Sequence, residues 1–447
     1  MKLENIFKVN DIRGIYPDEL NDEVAFKIGQ GLVSYLHPQE VCVGRDVRLS
    51  SEPLFKALSQ GIITSGVKVI NLGVVTTDMF YFAMNKYNFD AGIMITASHN
   101  PSQDNGFKIC RKGGIMVYQD NGLDDLEQIV EQGLSETPTS PGLIVDQNIT
   151  SEYLNHLLAN IDLKQINKLK VGLDISNGSL GFIIKKIINQ LPIEAFIIND
   201  IPDGTFPNHS PDPQQPESLV QLQKLVLDNH LDFGVIFDGD ADRVVFLDNK
   251  GEVINASIIL VLLIKHFLFL FPNSKVVYDS AVSKIVPEAI NKYQGQPVRS
   301  LIGHSFMKAN MREYDAIVGG EHTGHFYFKN HYYSDSGLMT FLVMLNILSD
   351  IKKPFSVLKT ELYPYYHSQE KNYPKETNYQ DKLNKIIEYY HNKGLQVENF
   401  DGFIINDKNY WIHIHPANTG PHIRTNIEAD SLSLLKEKEI ELNNLFL

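Results

Sequence analysis

The chain has 447 residues, 43% of them hydrophobic and 21% charged, with a formal net charge of −14. That length is more than one ordinary core absorbs, and it sets an expectation of three or four domains. The acidic balance speaks against nucleic acid as a partner, because a basic footprint is missing; it leaves room for an anionic substrate held in a local basic pocket.

Met1 to Asn5 carries no apolar run of the signal-peptide kind. The most apolar stretch, Ile258 to Phe271, is interrupted by Lys265 and His266, is too short to span a bilayer and reads as a core helix. Cys42 and Cys110 lie among apolar residues at strand-like positions and read as buried, reduced thiols. These features set the expectation of a cytoplasmic protein with no membrane partner.

Along the chain, short β-rich runs alternate with amphipathic stretches, which predicts βαβ units and mixed or parallel sheets. Asp11-Ile12-Arg13-Gly14 places an arginine beside glycine near the start. Strands are predicted at Glu40 to Gly44, Lys68 to Leu72 and Ala91 to Ile95, with a helix at Ser51 to Ser65. Gly44-Arg45-Asp46-Val47-Arg48-Leu49-Ser50 is a second arginine loop; either loop could hold a structural ion pair, and Arg13 is the better phosphate contact.

After the strand at Ala91 come Thr96-Ala97-Ser98-His99-Asn100-Pro101 and Asn105-Gly106-Phe107-Lys108. A serine at the carboxyl end of a strand sits where open α/β sheets present ligand-binding groups. With His99 and Lys108 nearby it can carry or attack a phosphoryl group.

A Ser/Thr/Pro/Glu-rich zone, Gln132 to Pro141, marks the first boundary. Beyond it lie predicted strands Lys170 to Asp174 and Phe233 to Phe237 and helices Leu180 to Asn189 and Glu217 to Asn229. Between them runs a loop, Pro202 to Pro216, with five prolines, long enough to cover something.

Asp238-Gly239-Asp240-Ala241-Asp242-Arg243 follows the strand at Phe233. Three carboxylates this close repel unless a cation lies among them, and oxygen-only ligands favour a hard ion such as Mg²⁺. A calcium EF-hand does not fit, since Arg243 and Asn249 stand where Gly and Glu are needed. Arg243 in the same loop reads as a fixed phosphate contact.

The turn Asp248 to Gly251 is a second boundary. Helices Ala256 to Phe271 and Ser283 to Tyr293 and strands Lys275 to Tyr278 and Ala316 to Val318 follow. Gly319-Gly320-Glu321-His322-Thr323-Gly324-His325 then offers glycines for close backbone approach and Glu321 and Thr323 for vicinal sugar hydroxyls. Zinc on His322 and His325 lacks a third ligand nearby. His304 either lines the same cleft or packs in the core. A third boundary near Ile351 to Pro354 precedes a different pattern, with a helix at Tyr379 to Lys393 and short strands.

Together these strings resemble the α-D-phosphohexomutase family, most closely its phosphomannomutase/phosphoglucomutase members, over essentially the whole chain. Thr96 to Pro101 resembles the phosphoserine loop, Asp238 to Arg243 the magnesium loop, Gly320 to His325 the sugar-recognition loop, and Trp411 to Ala429 the C-terminal phosphate-binding segment. Asp203 to Pro207 and Gly44 to Ser50 are further similar stretches.

The resemblance implies four domains around a central cleft. Three are α/β with mixed sheets (residues 1–145, 146–250 and 251–355), and the last is a smaller α+β unit (356–447). It implies a hexose 1-phosphate/6-phosphate mutase, acting on mannose and/or glucose through phosphoserine at Ser98 and a hexose 1,6-bisphosphate intermediate that also serves as activator. One Mg²⁺ per chain would lie on Ser98, Asp238, Asp240 and Asp242. Lys108 would be a general acid/base whose pKa nearby cations lower, supported by His99 and Arg13. Glu321 and Thr323 would hold O3 and O4, with His304, His325 and Arg243 lining the cleft.

The partner is then a small sugar phosphate, and the chain a monomer or homodimer. Alternatives are an amino-sugar or pentose phosphate mutase, or a catalytically weak sugar-phosphate-binding protein of the same fold.

The chain departs from the family pattern at the distal phosphate. His415-Pro416-Ala417-Asn418-Thr419-Gly420 stands where the family has arginine and serine. Losing a charged contact of this kind costs about 1.5–3 kcal/mol. Asn418, Thr419 and Arg424 remain as donors, and His415 could supply charge only as imidazolium.

Overall fold

The computed structural model describes residues 5–133, 140–368, 370–375, 379–416 and 422–446. Among these residues the strands form four sheets.

The first sheet has seven strands. Its centre is parallel, with Glu40–Arg45 between Lys68–Val74 and Ala91–Ile95; Asp104–Arg111 then runs antiparallel to Ala91–Ile95, and Ile12–Ile15 lies beyond it. Ile144–Asp146 is the opposite edge. In the second sheet Glu194–Ile198, Lys170–Asp174 and Phe233–Phe237 are parallel, and Val244–Leu247 turns back antiparallel. This sheet runs past residue 250, taking Val253–Ile254 as its edge.

The third sheet repeats the plan. Gln296–Ser300, Lys275–Asp279 and Val318–Gly320 are parallel, then Phe326–Phe328 and Ser334–Asp335 run antiparallel. The fourth sheet is wholly antiparallel and carries helices Tyr379–Asn392 and Leu432–Phe446. The architecture is three mixed α/β units and a C-terminal unit with an antiparallel sheet, as the resemblance implied.

Burial explains the helices. Ala256–Leu270 and Gly337–Ile351 are apolar on nearly every side and lie buried between layers, as an all-round apolar helix must. One continuous apolar cluster runs through the first three units, from Cys42 to Leu358. The first sheet buries its other face against a separate cluster that includes Val24, Leu58 and Leu126. The C-terminal unit has a core of its own around Tyr390, Ile412 and Ile427. Cys42 and Cys110 are buried and free. Among the described residues no helix is long and apolar enough to cross a membrane.

Two predicted elements differ. The stretch from Leu180 is a short turn, Ser179–Phe182, followed by Ile184–Ile188, rather than one helix. Gly181 there sits on the Asp200 carbonyl, where a side-chain carbon would come within 2.4 Å. The strand expected at Ala316 to Val318 is Val318–Gly320, so both glycines belong to it. Small residues are needed there because Leu260, Met311 and Phe326 crowd them.

Candidate functional site

Each of the first three units places a hairpin loop where its parallel strands give way to antiparallel ones. Residues 96–103 follow Ala91–Ile95, residues 238–243 follow Phe233–Phe237, and residues 321–325 follow Val318–Gly320. Such junctions are where α/β sheets expose ligand-binding groups. The three loops meet. Ser98 Oγ donates to Asp238 Oδ2 at 2.7 Å, and Arg243 bridges His325 through the backbone.

The serine loop is held in a conformation it would not adopt alone. Ser98 has φ 51°, in the left-handed region, which costs a residue with a Cβ about 1 kcal/mol. The restraint is Arg48, whose side chain is buried. Its guanidinium donates to the carbonyls of Ser98 (2.8 Å), Asn100 (2.6 Å), Pro101 (2.5 Å) and Asp104 (3.0 Å), while its Nε donates to Asp46. Phe206, from the proline-rich loop, stacks on it at 5.1 Å; that long loop is the cover of this corner. Thr96 Oγ1 accepts from the Ser98 N–H at 2.8 Å. Gly239 lets the acidic loop approach, since a Cβ there would come within 2.9 Å of the Ser98 carbonyl oxygen.

Asp238, Asp240 and Asp242 are fully buried and offer oxygens within 4.8 Å of one another. Asp240 Oδ1 and Asp242 Oδ1 are buried with no hydrogen-bond partner among the described residues. Unpaired buried carboxylate oxygens are costly, and an all-oxygen cage fits a hard divalent cation. Burial, with Asp240 and Asp242 beside it, pushes the Asp238 carboxyl well above the usual range. Burial acts likewise on Asp240 and Asp242, but there the opposing contacts together prevail and hold both low: Lys108 and the Thr77 hydroxyl at Asp240, Lys108, His325 and Arg243 at Asp242.

Lys108 is buried between Asp240 (3.1 Å) and Asp242. Burial disfavours its charge, yet Asp240 and Asp242 win and its pKa rises. Among the side chains the anions lie closer to Lys108 than the cations, so the packed residues favour its charged form, against the lowered lysine pKa that the resemblance implied. His99 Nδ1 lies 3.2 Å from Ser98 Oγ. Burial, and then Arg243 and Arg13, drive its pKa well down, so the ring is neutral. Arg13 spends Nε and one terminal nitrogen on Asp11 and the other on the Ala97 carbonyl and Asn100. It frames the loop and is about one-fifth exposed.

On the third loop, Glu321 is buried. It accepts from the Gly303 N–H at 3.0 Å and from the Tyr327 hydroxyl, and burial pushes its pKa up. Thr323 Oγ1 is buried with no hydrogen-bond partner among the described residues. His304 is buried too; neither ring nitrogen has a hydrogen-bond partner among the described residues, and Nε2 lies 3.8 Å from Asp11; burial pulls its pKa to about 4. His325 accepts from Arg243 Nε at 2.8 Å, and its Nδ1 faces Asp335 at 2.9 Å. His322 turns instead to Asp279, at 2.6 Å, so the two histidines share no ligand.

The distal end is less complete. Asn418 and Thr419 lie outside the described residues. His415 and His413 lie on one face of the strand Tyr410–Pro416 and stack at 4.6 Å, while Ile412 and Ile414 enter the core opposite. The idea of an imidazolium at His415 is corrected: burial, with His322 next, pulls its pKa down, and the ring is neutral. Arg424 pairs with Glu370 at 3.4 Å.

Sequence reasoning missed several contributors. Arg48 was visible only as an arginine in a family-like stretch. Thr77, which donates to Asp240 Oδ2 at 2.5 Å, gave no signal. Lys308, paired with Asp335 at 2.8 Å and stacked on Tyr81 at 4.2 Å, lies in a helix of mixed character and also gave none.

Residues 4–137, 151–251 and 255–366 match, in order, the phosphoglucomutase/phosphomannomutase alpha/beta/alpha domains I, II and III. A phosphomannomutase of Methanocaldococcus jannaschii is 36% identical over 98% of this chain and 97% of its own length. One of Escherichia coli is 32% identical over 96% of each. The crystal structure of a phosphoglucomutase/phosphomannomutase family protein from Burkholderia thailandensis superposes with a TM-score of 0.91 at 28% identity, covering 100% of this chain and 97% of that one. On matches that cover most of its length, the chain belongs to the phosphoglucomutase/phosphomannomutase family of α-D-phosphohexomutases.

Proposed function

We propose that the protein is an isomerase that exchanges phosphate between the 1- and 6-positions of a hexose, with Ser98 as the phosphoryl carrier. The observation that carries this reading is the 2.7 Å contact of Ser98 Oγ with Asp238, at the edge of a buried aspartate cage. In the first half-reaction the Oγ–P bond of phosphoserine breaks as the O6 hydroxyl of a hexose 1-phosphate forms its bond to phosphorus. Ser98 Oγ leaves with a proton from Lys108, the O6 proton passes to neutral His99 or to solvent, and a 1,6-bisphosphate results. After the bisphosphate turns over in the cleft, Ser98 Oγ attacks the 1-phosphate as its proton returns to Lys108, the sugar C1 oxygen leaves with the proton held by His99 or drawn from solvent, and hexose 6-phosphate is released.

Ser98, Asp238, Asp240 and Asp242 would hold one Mg²⁺, which when bound offsets charge on the phosphate oxygens and takes over the carboxylate charge that holds the Lys108 proton. Arg13 and Arg243 border the serine loop and supply the fixed positive charge a phosphate needs. Buried, unpartnered Thr323 Oγ1 and His304 suit sugar hydroxyls, beside Glu321. On this reading a hexose 1,6-bisphosphate serves as activator, because Ser98 must be esterified before the first turnover.

Ser98→Ala is expected to abolish exchange in the presence of bisphosphate. Intact-mass spectrometry should show a partial increment of about 80 Da on the wild type that substrate removes, and none on the variant. Undiminished turnover by the variant overturns the assignment. Mannose and glucose 1-phosphates are the expected substrates. An assay of both beside glucosamine 1-phosphate fixes the sugar.

A further inference from the structure

Asp78 lies outside the cleft, fully buried at the start of the helix Thr77–Lys86. Its carboxylate is the meeting point of three units. From the first unit the Thr76 hydroxyl donates to it, as does the Met79 N–H at 2.8 Å. The Tyr153 hydroxyl, on the helix Thr150–Leu158 that enters the second unit, donates at 2.6 Å. From the third unit comes the Ser336 hydroxyl. Among the described residues no arginine or lysine pairs with this carboxylate, and neutral donors hold it.

The residues beside these contacts grip the aspartate loop. Thr77, adjacent to Asp78, donates its hydroxyl to Asp240 Oδ2 at 2.5 Å and its N–H to the Asp240 carbonyl at 2.9 Å. Gly337, adjacent to Ser336, donates its N–H to the Ala241 carbonyl at 3.1 Å. Ala241 itself has φ 61°, a conformation that must be imposed from outside. So the two segments that brace the aspartate loop, residues 76–78 and 335–337, are tied to each other through one carboxylate.

We propose that Asp78 is a positioning residue for the divalent-cation site, acting through Thr77 and Gly337 on Asp240 and Ala241. It fixes the relation between the first and third units at the point where their segments brace the metal-binding loop. This rests on reading Asp238, Asp240 and Asp242 as the cation ligands. Outer-sphere partners of this kind set ligand orientation and metal affinity.

The test measures Mn²⁺ binding, by calorimetry or electron paramagnetic resonance, to the full-length, dephosphorylated protein. Asp78→Asn keeps the shape but turns one acceptor into a donor facing hydroxyl donors. It is expected to weaken Mn²⁺ binding about tenfold, the low end for outer-sphere partners. Thr77→Val should weaken it comparably, and the double variant should be no worse than the stronger single. Tyr153→Phe and Ser336→Ala, which each remove one donor and leave the carboxylate, should show smaller losses and carry the test if Asp78→Asn does not fold.

Wild-type Mn²⁺ affinity in Asp78→Asn, or in both single-donor variants, overturns the proposal even if melting temperature falls. Losses that multiply in the double variant also overturn it, since Asp78 would then act independently of Thr77. Absence of Mn²⁺ binding by the wild type instead overturns the reading of the aspartate loop on which this rests.

Discussion

The serine-and-aspartate end of the cleft and the C-terminal end are built on different kinds of contact. Ser98 and the aspartates sit on loops, and Lys108 on the strand Asp104–Arg111, of sheets that share one continuous apolar core. The C-terminal sheet closes over a separate core and meets the third unit through polar groups. Asp401 accepts from Ser280 Oγ (2.6 Å) and the Ile302 N–H (2.9 Å). Glu428 accepts from Ser283 Oγ (3.0 Å), the Lys284 N–H (3.1 Å) and Tyr363. A packed apolar core resists small displacements, whereas hydrogen bonds to a carboxylate contribute about 1.5–3 kcal/mol each and depend on a few atoms. The serine and aspartate loops are thus mounted rigidly on packed apolar layers, and the C-terminal unit is mounted on a few polar contacts.

The largest expected effect is at the rigid end. Asp240→Asn removes a charge that Lys108, Thr77 and Thr96 all address; kcat should fall by roughly two to three orders of magnitude, with KM changed little. A kcat near that of the wild type would break the contrast at once. Arg48→Lys comes next. A lysine cannot span four carbonyls, the strained Ser98 loop should relax, and kcat should drop about 100-fold, with a lower melting temperature. An unchanged kcat in steady-state assay would show that the loop holds itself.

At the C-terminal end Asp401→Ala should act in the other parameter. It removes the acceptor of two interunit hydrogen bonds, so KM should rise roughly tenfold while kcat stays within a factor of a few. A fall in kcat with constant KM would mean that the two ends are not separable. The smallest effect concerns pH. With His415 neutral, KM corrected for substrate ionisation should stay flat from pH 8 to 6; tighter binding toward pH 6 would restore the imidazolium.

Stability sharpens the same point. Burial pulls His413 to about 3, His331 to about 3 and His304 to about 4. Unfolding frees each to take up a proton below about pH 6.5. The stability they contribute is complete above that pH and is lost as pH falls, by about 2 kcal/mol per histidine at pH 5. His322, held up by Asp279 against burial, and Asp78, pushed up to about 6 by burial, act in the opposite sense. His413→Gln should therefore lose less stability than the wild type between pH 7.5 and 5, measured by denaturant titration.

Local chemistry was legible in the chain wherever neighbours in sequence carry it. Ser98 beside His99, three aspartates in five residues, and glycines before Glu321 announce loops with a task, and their position after apolar runs places them at strand ends. The alternation of Ile412 and Ile414 with His413 and His415 puts both histidines on one face of their strand. Backbone period and composition fix such features, because they depend on residues a few positions apart.

What only the tertiary structure decided is which distant groups share a volume. Arg48 reaches carbonyls fifty and more residues away. Asp78 gathers hydroxyls from Tyr153 and Ser336. The charge states of Lys108 and His415 follow the same rule: the sequence supplies the titratable group, but burial and the nearest opposite charge set its proton, and both are properties of the packed chain.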